Sequence, residues 1–121
     1  GAGVLQADPG LHDLLVAHTS HLPHLAASLL AAAALDGCRK VGGMRPADFT
    51  GNGFRDTTRI AGGDEDVWTD IFLMNRNQVL AALDTLLERA AHCRTILEQE
   101  NEDALRLMLA EGGRARREIL G

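Results

Sequence analysis

The chain has 121 residues, which is enough for one domain with a modest core. Aromatic residues make up only 3% of it and tyrosine is absent, so a β-sandwich rich in aromatic and β-branched side chains is disfavoured. The net charge is −5 with no basic block, which argues against a nucleic-acid partner.

The sequence predicts neither a membrane partner nor export. The longest apolar run, residues 25–35, falls well short of the roughly 20 residues that span a bilayer. No charged segment followed by an apolar one marks a secretory signal. Cys38 and Cys93 lack CxxC spacing, which is typical of proteins in a reducing compartment. We therefore predict a cytoplasmic location.

The first helix is predicted to begin at Asp8, because aspartate accepts hydrogen bonds from free amides and the following proline suits a first turn. We expect it to run to about Leu35 and to end near Gly37, where glycine tolerates a left-handed cap. Pro23 removes one backbone hydrogen bond inside this helix. A kink is therefore expected at residues 21–24.

The middle of the chain predicts a loop and a short helix. Residues 37–53 are rich in glycine and indicate a loop, with a turn of helix after Pro46. Residues 54–61, "FRDTTRIA", predict a short helix that two glycines close.

Helical signals continue to the end of the chain. Asp64 is predicted to cap a helix, and a break is expected within residues 74–77, "MNRN". Leucines at helical spacing follow, and Asn101 is a candidate cap for a last helix that Gly112 and Gly113 weaken. Since no strand signal appears, the predicted fold class is all-α, a bundle of long amphipathic helices.

The first helix has two unlike faces. One narrow stripe carries Asp13, Ala17, Ser20, His24, Ala27 and Ala31, and the opposite side carries Leu11, Leu15, Leu22 and Leu29. We predict that the leucine stripe forms core. The helix lacks Lys and Arg, so the other stripe is also expected to be covered, by another helix of the chain or by a second subunit.

Three histidines of this helix raise the possibility of a metal site. His18, His21 and His24 are spaced i, i+3, i+6, whereas the usual helical ligand pair is i, i+4. No cysteine or glutamate lies close in sequence to complete the set. The spacing favours packing histidines with hydrogen bonds, so no metal is predicted, and a helical metalloprotein stays as an alternative.

Residues 51–68, "GNGFRDTTRIAGGDEDVW", hold a candidate anion site. Asp56 and Arg59 are spaced to pair on one face of the short helix, and arginine is well shaped to bind a carboxylate. Glycines such as Gly53 allow a close approach of backbone to ligand. The alternative reading is a solvent-screened ion pair, with Trp68 in the core.

An ordered set of motifs in this chain resembles the C-terminal helical domain of prephenate and arogenate dehydrogenases. In chain order the motifs are "HD", "SHLPH", "GFRDTTRIA", the tryptophan and "NR". The resemblance covers residues 11–97 well and the remainder more weakly. It implies a fold like the C-terminal domain of 6-phosphogluconate dehydrogenase and an intertwined homodimer. It also implies NAD- or NADP-dependent oxidative decarboxylation of prephenate or arogenate in tyrosine biosynthesis.

The resemblance implies roles for individual residues. Arg59 resembles the arginine that holds a substrate carboxylate, and Asp56 resembles its ion-pair partner. His24 and Trp68 resemble pocket residues, with the tryptophan directed toward the partner's pocket. Asp13, Ser20 and Gly53 are expected to support the substrate site.

The sequence departs from the whole enzyme in two respects. "GAGVLQ" lacks the glycine pattern and the βαβ context of a dinucleotide-binding turn, and the family's catalytic histidine has no counterpart. Residues 1–121 are therefore expected to be a dimerisation and substrate-binding domain without its Rossmann domain, with no catalytic residue, no bound cofactor and no activity alone. A freestanding helical dimerisation or binding module is the alternative.

Overall fold

The computed structural model describes residues 8–121, which are almost entirely helical and contain no strand within that range. The α-helices are α1 (Pro9–Val16), α2 (Leu22–Cys38), α3 (Asn52–Thr58), α4 (Glu65–Met74), α5 (Arg76–Glu98) and α6 (Glu102–Leu120). A π-helical segment (Ala17–His21) joins α1 to α2, and 3-10 turns occupy Pro46–Phe49 and Arg59–Gly62. The all-α prediction is confirmed.

The chain divides into two compact units, with the boundary between Ala82 and Leu83. The core of the first unit is small: Ala17, Val79 and Ala82 are buried, and Leu22, Leu25 and Phe72 pack against them. In the second unit Ile96 is buried, and Arg89 Nη1 lies 3.0 Å from Glu111 Oε1. Both partners of that ion pair are substantially exposed, so it contributes little to stability.

The predicted helix starts are confirmed. The carboxylate of Asp8 accepts a hydrogen bond from the Leu11 amide at 2.8 Å, and Asp64 accepts from the Asp66 amide at 2.9 Å. Asn101 caps α6 by accepting from the Ala104 amide at 3.1 Å. Because a cap is a contact between residues two or three apart, its signal is readable in the sequence.

The break at "MNRN" is also confirmed, but the effect predicted for two glycines is not. Helix α4 ends at Met74, and Asn75 leaves helical geometry with φ −114° before α5 begins. By contrast, α6 continues through Gly112 and Gly113 to Leu120. The helix propensity of glycine is a small penalty that a long helix can absorb.

The first helix differs from the prediction in how it bends and where it ends. The disturbance before Pro23 is the π segment Ala17–His21, in which the Leu22 amide donates to the Ala17 carbonyl five residues back. Proline cannot donate, so a wider turn just before it accommodates the missing hydrogen bond. The helix also runs past Gly37 to Cys38 and ends without a left-handed residue.

The prediction that the leucine stripe is core is wrong within this chain for three of its four leucines, since of the four only Leu22 packs against the core. Leu11, Leu15 and Leu29 are 49%, 43% and 51% exposed, whereas Ala17 and Ala27 are buried. The sequence shows that two faces are apolar but does not say which one the chain's own helices cover. The small residues form the inner face because they allow the neighbouring elements to approach closely.

No helix of residues 8–121 has both the length and the hydropathy needed to cross a bilayer.

Candidate functional site

A polar cavity of about 480 Å³ lies in the first unit between α2 and the start of α4. Its lining residues are His24, Ser28, Ala61, Gly62, Gly63, Asp64, Glu65, Trp68, Thr69 and Phe72. Three short pieces of sequence therefore meet here: one turn of α2, the end of the 3-10 turn Arg59–Gly62, and the first two turns of α4.

The wall of the cavity is a stack of two rings. The imidazole of His24 lies 3.7 Å from the indole of Trp68, measured between ring centroids, at an interplanar angle of 15°. His24 is only 7% exposed, and it is the buried polar residue of the described chain. Such a pair is worth about 0.5–1.5 kcal/mol beyond the area that it buries.

Position 63 requires a glycine, because its backbone lies close to two ring side chains. A Cβ atom at this position would lie 3.0 Å from His24 Cε1 and 3.2 Å from Trp68 Nε1. The neighbouring Gly62 has open space around its own Cβ position. Only the second of the two adjacent glycines therefore holds the backbone against the stacked rings.

The stacked rings keep unused hydrogen-bonding atoms. Within residues 8–121, neither ring nitrogen of His24 nor Nε1 of Trp68 bonds to a protein group. No fully enclosed polar side-chain atom of this range lacks a partner, so the imidazole nitrogens retain access to the cavity. Because these atoms are accessible and make no hydrogen bond to the protein, they can bind a ligand that enters the cavity.

The ring of a second histidine lies perpendicular to the same indole. The ring of His21 meets Trp68 at 6.3 Å and 83° and Phe72 at 6.4 Å and 81°. Its Nδ1 lies 3.2 Å from Asn75 Nδ2. Burial lowers the pKa of His21, partly opposed by the charge of Asp13, while His12 lowers that pKa further.

The charges lining the cavity are negative. Asp64 and Glu65 contribute carboxylates, and the lining contains no lysine or arginine. The Asp64 carboxylate is already engaged with the first amides of α4. An anionic ligand in this cavity therefore needs a cation from outside its lining.

The sequence matches the family described as "Prephenate dehydrogenase, dimerization domain" over residues 8–111. The chain belongs to this family. The match covers most of the chain, and it confirms the family that the ordered motifs indicate.

Relatives and solved structures agree with the assignment. The chain is 31% identical over 106 residues to prephenate dehydrogenase of Bacillus subtilis (strain 168), covering 86% of this chain and 28% of that protein. It is 32% identical over 105 residues to cyclohexadienyl dehydrogenase of Zymomonas mobilis, covering 87% and 36%. The chain thus spans about a third of the length of the curated relatives that it matches.

The fold of the dimerization domain recurs in two solved structures. Prephenate dehydrogenase from A. aeolicus, in complex with hydroxyphenyl propionate and NAD+, superposes with a TM-score of 0.85 at 33% identity, covering 98% of this chain and 41% of that one. Synechocystis arogenate dehydrogenase gives a TM-score of 0.84 at 23% identity, covering 98% and 43%. The second likeness shows the shared fold alone.

The structure brings together two of the residues that the sequence singled out. His24 and Trp68 form the stacked wall of the cavity. Arg59 begins the 3-10 turn whose last residues line the cavity, but it is exposed and lies outside the lining. It forms no salt bridge with Asp56, so the pairing that their spacing suggested is absent among the ion pairs of residues 8–121.

The remaining candidates lie away from the cavity lining. Ser20 and Gly53 are exposed, and Gly53 has no neighbouring atom within 4 Å of its Cβ position, so it shows no close approach. Asp13 acts through its backbone, since its carbonyl accepts a hydrogen bond from Asn75 Nδ2 at 2.9 Å. Its carboxylate is 3.6 Å from His12 Nδ1.

Sequence reasoning did not assign a site role to several residues at or near the cavity, among them Ser28, Thr69, Phe72 and Asn75. Helical spacing relates Ser28 to His24 and Phe72 to Trp68, each four positions apart, and this was the available signal. In the metal alternative, His18, His21 and His24 would converge, but no group of three candidate ligands occurs within the described range.

A second, apolar cavity of about 560 Å³ occurs elsewhere in the first unit. Its lining includes Leu35, Cys38, Phe49, Phe54 and Arg55. The two arginines of "FRDTTR" therefore lie at different sites. Arg55 lines the apolar cavity, and Arg59 begins the 3-10 turn that reaches the polar cavity.

Proposed function

We propose that this chain supplies the substrate-binding wall and the dimer interface of an NAD- or NADP-dependent prephenate or arogenate dehydrogenase of tyrosine biosynthesis. The observation that carries the proposal is the buried imidazole of His24, which has no protein hydrogen-bond partner in the described range and borders a polar cavity. Family membership supplies the substrate class.

The stacked rings suit a six-membered ring substrate with polar groups at its edge. In the proposed reaction a hydride leaves the ring carbon that bears the hydroxyl, carbon dioxide is lost, and the ring becomes aromatic. His24 and the indole N–H of Trp68 would bind and orient polar groups of the substrate. The flat surface of the stack accommodates a ring as it becomes planar.

The charge balance assigns Arg59 a role in this proposal. Prephenate is a dianion, and the cavity lining offers only carboxylates as charged groups. Arg59 is exposed and free of salt bridges in the described range, so its guanidinium is available to a carboxylate. We propose that Arg59 binds one substrate carboxylate; Asp56, three positions before it, forms no ion pair with it in this structure.

The described residues do not fit a nicotinamide dinucleotide. The range 8–121 has no strand, and the sequence has no glycine-rich turn between a strand and a helix. We propose that the cofactor and the catalytic histidine belong to a Rossmann domain outside these residues, and that this chain alone does not turn over substrate.

Fluorescence of the chain tests the proposal, because Trp68 is the single tryptophan and there is no tyrosine. Prephenate is titrated into the protein to millimolar concentration, and arogenate in parallel, while Trp68 emission is recorded. We expect a saturable change with at least one of the two. A folded protein without saturable change for either compound would contradict the proposal and favour a freestanding helical module.

Two variants make the test specific. His24→Phe keeps a flat ring against Trp68 but removes both ring nitrogens, and we expect affinity to fall about tenfold. His92→Phe makes the same chemical change at an exposed histidine outside the lining and should leave affinity unchanged.

A further inference from the structure

Asn75 connects three helices at the break between α4 and α5. Its backbone amide donates to the Ile71 carbonyl at 3.2 Å, and its carbonyl accepts from the Val79 amide at 2.9 Å. Its side-chain nitrogen Nδ2 lies 2.9 Å from the Asp13 carbonyl of α1 and 3.2 Å from Nδ1 of His21 in the π segment. One amide group thus ties α1 and the π segment to the α4–α5 junction.

These contacts determine the tautomer of His21. The Asp13 carbonyl can only accept, so the NH₂ group of Asn75 must face it. The same nitrogen then donates to His21, and Nδ1 of His21 must be the acceptor. A neutral imidazole that accepts at Nδ1 carries its proton on Nε2.

His21 transmits this constraint to the cavity, although Asn75 does not line it. The His21 ring lies perpendicular to the Trp68 ring, and Trp68 stacks on His24. Phe72 touches all three rings and holds them as one cluster. A change at Asn75 therefore reaches the indole through a single intervening side chain.

We propose that Asn75 is a positioning residue for the substrate cavity: it holds His21 in the Nε2–H tautomer, perpendicular to Trp68, and so keeps the indole against His24. The functional part of this inference rests on the proposed substrate site, whereas the tautomer does not.

The arrangement is sensitive to acid. Protonation of His21 places a hydrogen on Nδ1, opposite the Asn75 donor, and the amide cannot turn without losing the Asp13 carbonyl. Burial lowers the pKa of His21, so the folded state favours the neutral ring. The ionisable neighbours are Asp13, which raises this pKa, and His12, which lowers it; the facing Trp68, Phe72 and Asn75 carry no charge.

The sign of the pH effect follows from linkage. Because the folded-state pKa of His21 lies below its unfolded value, the stabilisation from the neutral ring is complete above the unfolded value, about 6.5. It is lost as the pH falls through that value toward the folded pKa. Acidification in this window should lower the free energy of unfolding. In His21→Gln, the free energy of unfolding should depend less on pH.

Nitrogen-15 NMR of the histidine rings tests the proposal on the full chain. His18 provides an internal reference of opposite kind, because its Nδ1 lies 2.9 Å from the Leu14 carbonyl and must donate. We expect the Nε2–H tautomer at His21 and the Nδ1–H tautomer at His18. An Nδ1–H tautomer at His21 would overturn the proposal.

Two variants separate positioning from general stability. Asn75→Asp replaces the donor by a carboxylate, so the pKa of His21 should rise by about one pH unit or more and prephenate affinity should fall about fivefold to tenfold. Asn77→Asp adds the same charge at an exposed neighbour and should change neither. If the His21 pKa and the prephenate affinity of Asn75→Asp both equal the wild-type values, the proposal is overturned.

The two proposals fail in different ways. If the wild-type chain binds neither prephenate nor arogenate while His21 has the expected tautomer, the proposed substrate site fails and takes the positioning role with it. If the chain binds substrate and His21 has the other tautomer, the positioning proposal fails alone.

Discussion

Gly63 sits where the backbone touches both rings of the cavity wall, and a methyl group there would have to displace one of them. We predict that Gly63→Ala destabilises the fold by about 1–3 kcal/mol and alters Trp68 emission, because the added Cβ overpacks the stack. Gly62→Ala is the matched control, since its Cβ meets no atom within 4 Å. Denaturant unfolding followed by Trp68 fluorescence measures both effects, and equal behaviour of the two variants would contradict the packing seen here.

The two arginines of "FRDTTR" allow a test of charge at single-residue resolution. We predict that Arg59→Gln weakens prephenate binding about tenfold to a hundredfold, because a charge-assisted hydrogen bond to a carboxylate is lost. Arg55→Gln removes the same charge beside the apolar cavity and should bind as wild type does. Calorimetric titration measures the prephenate affinity of both variants. A larger loss of affinity for Arg55→Gln than for Arg59→Gln would contradict the assignment of the anion site to Arg59.

Residue-level prediction worked where a motif carried the information. His24 and Trp68 were singled out through their motifs, and the structure stacks them. Asn75 belongs to the "NR" motif and to the predicted helix break, but neither predicts its role, which depends on a contact with His21, 54 positions away in the sequence. Local pattern cannot reveal such a contact; only the packing of α1 against the α4–α5 junction creates it.

At the scale of elements, the N-cap of α4 supports the helix that carries Trp68. We predict that Asp64→Ala lowers stability by about 1 kcal/mol, since two amide hydrogen bonds are lost, and also changes the response of Trp68 to prephenate. Asn101→Ala removes an equivalent cap from α6 and should lower stability without changing that response. Thermal unfolding together with the fluorescence titration separates these results, and a normal titration for Asp64→Ala would contradict the link between cap and cavity.

Helix starts could be predicted and helix faces could not, for a physical reason. A cap joins residues a few positions apart, so Asp8, Asp64 and Asn101 were found from sequence alone. Which apolar face of the first helix is buried depends on partners elsewhere in space. Leucine was assigned to the core on hydrophobicity, whereas the chain's own packing selected the small residues Ala17 and Ala27.

At the scale of the whole molecule, much apolar surface remains exposed. The exposed leucines of α1 and α2 include Leu11, Leu14, Leu15, Leu29, Leu30 and Leu35. Exposed apolar surface of this kind is typical of an interface, so we propose that a second copy covers the leucine face.

We predict that Leu15→Glu with Leu29→Glu converts a dimer to a monomer, because each change places a charge on the covered face. Lys40→Glu alters the net charge by the same amount, −2, and leaves the leucines in place, so it should remain dimeric. Light scattering at high micromolar concentration distinguishes the two. A folded wild-type monomer at that concentration would contradict the proposed dimer.

We propose that substrate binds at the stacked wall of His24 and Trp68. The most direct test of this proposal is a titration of the isotope-labelled chain with prephenate, followed by the amide and indole N–H resonances. We expect saturable shifts concentrated at Gly62, Gly63 and the Trp68 indole. Shifts that concentrate instead at Phe49 and Phe54 of the apolar cavity, or no shift in a folded protein, would contradict it.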